Sequence, residues 1–245
     1  MVNRIREMKI LAIIPAYNES GNIERVVREV LALPLSVVPL VIDDGSADDT
    51  AVCARRAGAR VIVLPFNLGI GGAVQAGYRY ADVNGFDIAI QVDGDGQHDV
   101  SYLAAIIRPL TEARADMVIG SRFLSPAGGF RSSLTRRMGI SFFRVLIRSL
   151  TGFPTTDPTA GFRACGRRLI KVYAGYYPVD FPEPEAIVVA RRLGARLLEV
   201  PVEMRARLAG KSSIGRLKSP YYMIKVTAAI LLHMLKDRKV YGPWE

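Results

Sequence analysis

Residues 91–99, QVDGDGQHD, set Asp93, Asp95, Gln97 and Asp99 at every second position, with Gly94, Gly96 and His98 between them. On an extended segment this spacing puts all four side chains on one face. The glycines let the backbone bend or come close to a ligand. Clustered carboxylate and amide oxygens are the donor set of a hard divalent cation, Mg²⁺ or Mn²⁺. Such ions are commonly held by one or two carboxylates together with substrate phosphates, which makes the cluster Asp93, Asp95, Gln97 and Asp99 a candidate metal site. A calcium loop fails on spacing, because His98 stands at its glycine position and Ala104 at its twelfth. A solvated Asp-Gly turn would explain one pair, but this run follows directly on the apolar IAI of 88–90.

Other polar groups could do chemistry further along. Glu183 and Glu185, in FPEPE, are candidate general bases, although acidic residues also favour a proline-bounded helix start. Arg137, Arg144 and Arg148 recur at intervals of seven and four, on one helical face that also carries Ser141. Phe142, Phe143, Leu146, Ile147 and Leu150 lie on the other side. Such a helix suits an anionic membrane surface, or it packs on a sheet with its arginines in solvent. RARLAGKSSIG (205–215), with Arg207 and Lys211, is a basic loop suited to cradling phosphate.

These residues need elements to hold them. Continuous apolar runs at 8–14, 37–43, 59–65, 86–93 and 115–120 read as strands, and helical periodicity at 20–33, 46–58, 69–82 and 100–110 separates them. Strands without polar alternation indicate a parallel sheet covered on both faces, and right-handed crossovers give a doubly wound α/β layer. Ligands then bind beyond the carboxyl ends of the strands, where PAYNE, DDGSADD, PFNLG, DGDGQHD and GSRF fall. The glycine-rich stretch 69–77 nearly fits a dinucleotide fingerprint, but Val74 occupies the third small-residue position, which favours close helix packing instead. The second half reads as a helix at 134–150, a loop DPTAGFRA, a helix at 184–194 and a strand at 196–207.

Composition sets the frame. The chain has 245 residues, half of them hydrophobic, enough for one substantial core. Cys53 and Cys165 lie far apart, pointing to a reducing compartment without a disulfide framework. The basic-then-apolar start reads as a buried strand rather than a signal peptide. No run reaches the roughly 18 apolar residues of a spanning helix. The net charge of +10 is unevenly spread. Residues 1–121 hold 11 Lys and Arg against 15 Asp and Glu, and residues 122–245 hold 22 against 8. An acidic half for a cation and a basic half for an anionic partner follow. Nucleic acid is a poor fit, since no recognition motif or aromatic-basic platform is present.

PAYNE (15–19), DDGSADDT (43–50), NLGIGGAVQAG (67–77), DGDGQH (93–98), GSRF (120–123) and DPTAGFRA (157–164) together resemble, in order, family 2 glycosyltransferases, most of all the dolichyl- and polyprenyl-phosphate sugar synthases. The resemblance covers about residues 8–215. It implies a GT-A fold, which is Rossmann-like, doubly wound and mostly parallel, with a nucleotide-sugar donor, a divalent metal and inversion at the anomeric carbon. By position Pro15, Tyr17, Glu19, Ile42, Asp44, Asp93 and Gly94 match nucleotide-contacting residues. Asp93 and Asp95 match the DxD pair, and Gln97 a third metal-side ligand. Arg122 matches an arginine approaching the diphosphate or the acceptor phosphate, and Arg137 with Ser141 an acceptor-phosphate pair. Arg207 fits the family's flexible loop, but Ser213 stands where mannose synthases have lysine, with Lys211 two residues away.

The expected organisation is a glycosyltransferase domain at 1–215, with a nucleotide-sugar and metal half (1–121) and an acceptor half (122–215). A basic amphipathic tail at 216–245 would lie on the membrane or dock on a small membrane protein. The expected reaction moves a hexose from a UDP- or GDP-sugar to a polyprenyl phosphate, in a cytoplasmic protein peripherally bound to the inner membrane face. A glycan or lipid hydroxyl acceptor would instead require Glu183 or Glu185 as base. An alternative of another class is a nucleotide- and membrane-binding subunit active only with a membrane partner.

Overall fold

The computed structural model describes residues 8–124, 134–205, 219–242 and 244, with the side chains of 134–136 and 219–220 excepted. The apolar runs form strands β1 (Ile10–Ala16), β2 (Val37–Asp43), β3 (Arg60–Val63), β4 (Ile88–Gln91), β5 (Met117–Ser121), β6 (Arg163–Gly166) and β7 (Leu197–Pro201). All seven residues of ILAIIPA in β1 are buried, as a strand covered on both faces requires. The helices are α1 (Ile23–Leu31), α2 (Thr50–Arg56), α3 (Gly69–Val83), α4 (Leu103–Thr111), α5 (Leu134–Thr151), α6 (Arg167–Gly175), α7 (Pro182–Arg192) and α8 (Ser219–Leu235).

One seven-stranded sheet runs β3-β2-β1-β4-β6-β5-β7. Strands β3, β2, β1 and β4 run parallel to one another, as do β5 and β7, and β6 is antiparallel to both β4 and β5. The sequence assigns β6 to a loop. Its four residues, RACG, open on an arginine and are too few to show a period. Helix α6 follows directly and shows no turn signal before it. The order reverses at β1, between β2 and β4, which opens the crevice that α/β sheets use for ligands.

Two apolar layers cover the sheet. Ile23, Val26, Val27 and Val30 of α1 join Leu103, Ile106 and Ile107 of α4 on one face. At roughly 2 kcal/mol for each fully buried aliphatic side chain, the four from α1 hold it down. The other layer gathers α3, α6, α7 and parts of α5 and α8. The glycines of α3 serve close packing, as their spacing suggests. A Cβ on Gly77 would lie 2.3 Å from Ile13 Cγ2, and one on Gly71 would lie 2.0 Å from the Val179 carbonyl oxygen. Val226 and Ile230 of α8, with Tyr241 after it, belong to this same core layer. The chain after α8 returns to the body, where Arg168 stacks over the Trp244 ring at 4.2 Å. No helix among the described residues is long and apolar enough to cross a membrane.

Candidate active site

The loops after β1 and β2 are stitched together. The Asn18 N–H donates to Ser46 Oγ and the Ala47 N–H to Asn18 Oδ1, both at 2.9 Å. The Glu19 N–H donates to Thr50 Oγ1 at 2.8 Å. Ser46 and Asn18 therefore tie the two loops together. Tyr17 is exposed at the top of β1, and the Pro15 carbonyl takes the Gly94 N–H at 3.3 Å. Asp44 is buried, and its Oδ1 accepts the Leu68 N–H at 2.7 Å. Burial raises the Asp44 carboxyl despite backbone hydrogen bonds from Leu68 and Gly69. Pro15, Tyr17, Asp44, Asp93 and Gly94 thus line up along the ends of β1, β2 and β4. Ile42 does not join them: it is fully buried in the core, so a side-chain contact with nucleotide is closed to it.

The acidic loop does not run extended with four side chains on one face. It turns at 94–96, where Gly96 adopts φ +73°, a conformation that favours glycine. The four polar side chains divide their work. Asp93 and Gln97 line a cavity. Asp95 is buried and its Oδ1 accepts the Gln97 N–H at 2.9 Å, bracing the turn. Asp99 accepts the Ser101 N–H at 3.0 Å and pairs with Arg205 at 2.9 Å. Burial alone would raise the Asp99 carboxyl, but Ser101 and Arg205 outweigh it and hold it below the usual range. Arg205 also pairs with Glu29 at 2.7 Å, so the chain entering the basic loop is fastened to the acidic one. Arg207 and Lys211 lie outside the described residues.

The cavity measures about 120 Å³ and is lined by Asp93, Gln97, Arg122, Thr159, Gly161 and Glu183 among others. Pockets that engulf a drug-sized ligand run from roughly 300 Å³ upward, so a nucleotide sugar would lie across its mouth. Arg122 is buried here, and its Nε and Nη2 each reach an Asp157 carboxylate oxygen at 2.6 Å, while Nη2 also donates to Thr159 Oγ1 at 2.9 Å. Its charge is therefore matched by Asp157. The loop bearing Asp157 is held by Glu199, which accepts the Thr156 N–H at 2.8 Å. Beneath the floor, the fully buried Arg163 donates to the Ala160 carbonyl and, at 3.0 Å, to the Glu183 carbonyl. Burial pushes the Glu183 carboxyl up and Asp93 adds to the push, whereas Arg163 and Arg122 oppose it.

The two glutamates separate. Glu183 faces the cavity, whereas Glu185 Oε2 lies 3.0 Å from Nε2 of the buried His233 on α8. Glu185 is thereby corrected from candidate base to a contact between helices. Arg137 and Ser141 are exposed on α5, and neither lines the cavity. Asp157, Arg163 and His98 were all written in the motif strings. Their roles were hidden because each depends on a partner distant in sequence or across the turn.

The residues present fit a divalent ion. Among the described residues no three His, Cys, Asp or Glu side chains converge as a complete cage would. A Cβ at Gly161 would lie 3.4 Å from Asp93 Oδ1 and 3.6 Å from Oδ2, so the glycine leaves the space beside this carboxylate clear.

Known proteins resemble this chain in sequence and in fold. The model of the family described as "Glycosyl transferase family 2" matches residues 11–174. An undecaprenyl-phosphate mannosyltransferase of Micrococcus luteus is 33% identical over 223 residues, 85% of this chain and 88% of that one. A UDP-N-acetylglucosamine–dolichyl-phosphate N-acetylglucosaminyltransferase of Methanococcus voltae is 30% identical, covering 79% of this chain and 84% of its own. Among solved structures, glucosyl-3-phosphoglycerate synthase from Mycobacterium tuberculosis with Mn²⁺, UDP and phosphoglyceric acid superposes with a TM-score of 0.74 at 21% identity, over 95% of this chain and 80% of that one. That likeness establishes a shared fold.

Proposed function

The chain belongs to glycosyl transferase family 2, and from that premise we propose that it transfers a hexose from a UDP- or GDP-sugar to a polyprenyl phosphate at the cytoplasmic face of a membrane. The observation that carries the acceptor is an apolar, basic-edged face that begins beside the cavity. The Tyr222 ring of α8 packs against Phe181 at 4.5 Å, two residues before Glu183. From there α8 exposes Tyr221, Ile224, Leu231, Leu232 and Leu235, and α5 exposes Met138, Phe142 and Val145. Arg137, Arg144 and Arg148 are exposed on α5, and Lys236, Arg238 and Lys239 after α8. An apolar stripe flanked by cations suits an anionic lipid surface, and the same face could receive a small membrane protein. The two polyprenyl-phosphate relatives support the same acceptor class.

Asp93 and Asp95 with Gln97 would hold Mg²⁺ or Mn²⁺, which when bound neutralises charge growing on the departing nucleoside diphosphate. Tyr17 offers an exposed ring at the nucleotide end, and Asp44 holds the neighbouring loop through Leu68. The acceptor phosphate has a second pKa of about 6, so its oxygen is already ionised at neutral pH. That oxygen forms the new bond to the anomeric carbon as the bond to the diphosphate breaks, and the nucleotide leaves with the electron pair. No base is required. The protein contributes alignment and oriented donors. Arg122, matched by Asp157, acts as a fixed donor rather than a loose cation.

One observation favours a second reading. Glu183 faces Asp93 across the cavity with its carboxyl pushed up, as a base for a hydroxyl acceptor would be. Glu183→Gln separates the two. Turnover on a polyprenyl phosphate is expected to stay within about tenfold of wild type. A loss of the roughly 10²–10⁴-fold that acid–base catalysis contributes, with nucleotide binding intact, would replace the phosphate acceptor by a hydroxyl.

A further inference from the structure

His98 is almost completely buried, and its ring lies against Asp93. Nδ1 lies 3.0 Å from the Asp93 backbone nitrogen, whose N–H donates to it. Nε2 lies 3.3 Å from Asp93 Oδ2. An imidazole nitrogen that accepts a hydrogen bond carries no proton, so the ring proton sits on Nε2. The two ring nitrogens point away from each other, so Asp93 Oδ2 lies beside that N–H rather than along it. The ring plane is set by Phe162, stacked at 4.6 Å with planes 13° apart. The backbone of His98 is set by an antiparallel bridge to Met204. The main chain of Asp93 is thus held from one side. Gln91 Nε2 reaches its Oδ1 only at 3.4 Å, and both carboxylate oxygens border the space at Gly161, where a Cβ would lie 3.4 Å from Oδ1 and 3.6 Å from Oδ2.

We infer that His98 is a positioning residue for the metal-binding carboxylate: it holds the main chain of Asp93 through Nδ1 and rests the edge of its ring against Oδ2. It is not itself a ligand, since Nδ1 takes the Asp93 N–H and Nε2 carries the ring proton. The inference rests on the metal reading of Asp93. Hydrogen-bonded partners of ligating groups typically account for 10–100-fold in metal affinity. The glutamine amide oxygen can accept the Asp93 N–H as Nδ1 does, whereas phenylalanine keeps only the stack on Phe162.

Two measurements on the full chain test this. In the first, Mn²⁺ is titrated into protein with UDP, and separately with GDP, and free Mn²⁺ is read by electron paramagnetic resonance. His98→Phe is expected to weaken Mn²⁺ binding about 10–100-fold, and His98→Gln to recover most of the loss. Wild-type affinity in His98→Phe overturns the positioning role. Failure of the wild type to bind Mn²⁺ with either nucleotide overturns the metal reading as well, and so tells the two failures apart. The second measurement needs no variant and so stands even if a substitution unfolds the chain. Nitrogen-15 spectra of the wild-type imidazole are expected to show the Nε2–H tautomer, and an Nδ1–H tautomer would contradict the geometry.

Discussion

At the scale of single residues, the buried pair between Arg122 and Asp157 sets the shape of the cavity wall. Both side chains are almost wholly removed from water. Asp157→Ala would leave a guanidinium buried without its carboxylate. Breaking a buried pair from one side costs about 3–5 kcal/mol, a loss to be read from urea denaturation midpoints. Glu183 carries the opposite sign. Its folded-state carboxyl holds a proton more tightly than in the unfolded chain, so ionising it costs stability as pH rises from the ordinary glutamate range through the raised folded value. Glu183→Gln should therefore raise the thermal midpoint at pH 7 and bring little change near pH 4. An equal gain at both pH values would contradict the buried-carboxyl account. The sequence displayed Asp93 and Gln97 plainly, because donor types and glycine spacing are local. It hid the split between Glu183 and Glu185, which depends on His233, 48 positions beyond Glu185.

Among elements, strands β1 to β5 and the helices between them were legible because each is a continuous apolar run closed by a turn residue. The short antiparallel β6 was not, since its place comes from pairing with β4 and β5 rather than from a pattern of its own. The acidic loop misled in the other direction. Period-two spacing suggested an extended face, but Gly96 at positive φ and the Asp95–Gln97 contact fold it into a turn. Helix α3 gives the sharpest test of element packing. Its first turn meets the 178–179 backbone, with the Gly71 N–H donating to the Val179 carbonyl at 3.0 Å. A methyl at Gly71 meets main chain, which cannot swing aside as a side chain does. Gly71→Ala should cost about 1–3 kcal/mol, the usual range for overpacking. It should also disturb the segment leading to Glu183, while an unchanged denaturation midpoint would show that this contact yields freely.

Across the whole molecule, both halves of the chain meet at the cavity: the acidic half contributes Asp93 and Gln97 to its lining, and the basic half Arg122, Thr159 and Glu183. The basic half also exposes apolar residues and cations on α5 and α8. The C-terminal segment, expected as a tail set apart from the catalytic domain, shares the core through Val226, Ile230 and Tyr241. Its outward face and the cavity are consequently parts of one body, joined through Phe181 and Tyr222. The most direct test of the central claim is mass spectrometry of products from a short polyprenyl phosphate and from its free alcohol. Each would be incubated with pooled UDP- and GDP-sugars and Mn²⁺, with and without a chelator. The account predicts sugar on the phosphate alone, lost on chelation. Sugar on the alcohol, or product that persists in chelator, would contradict it.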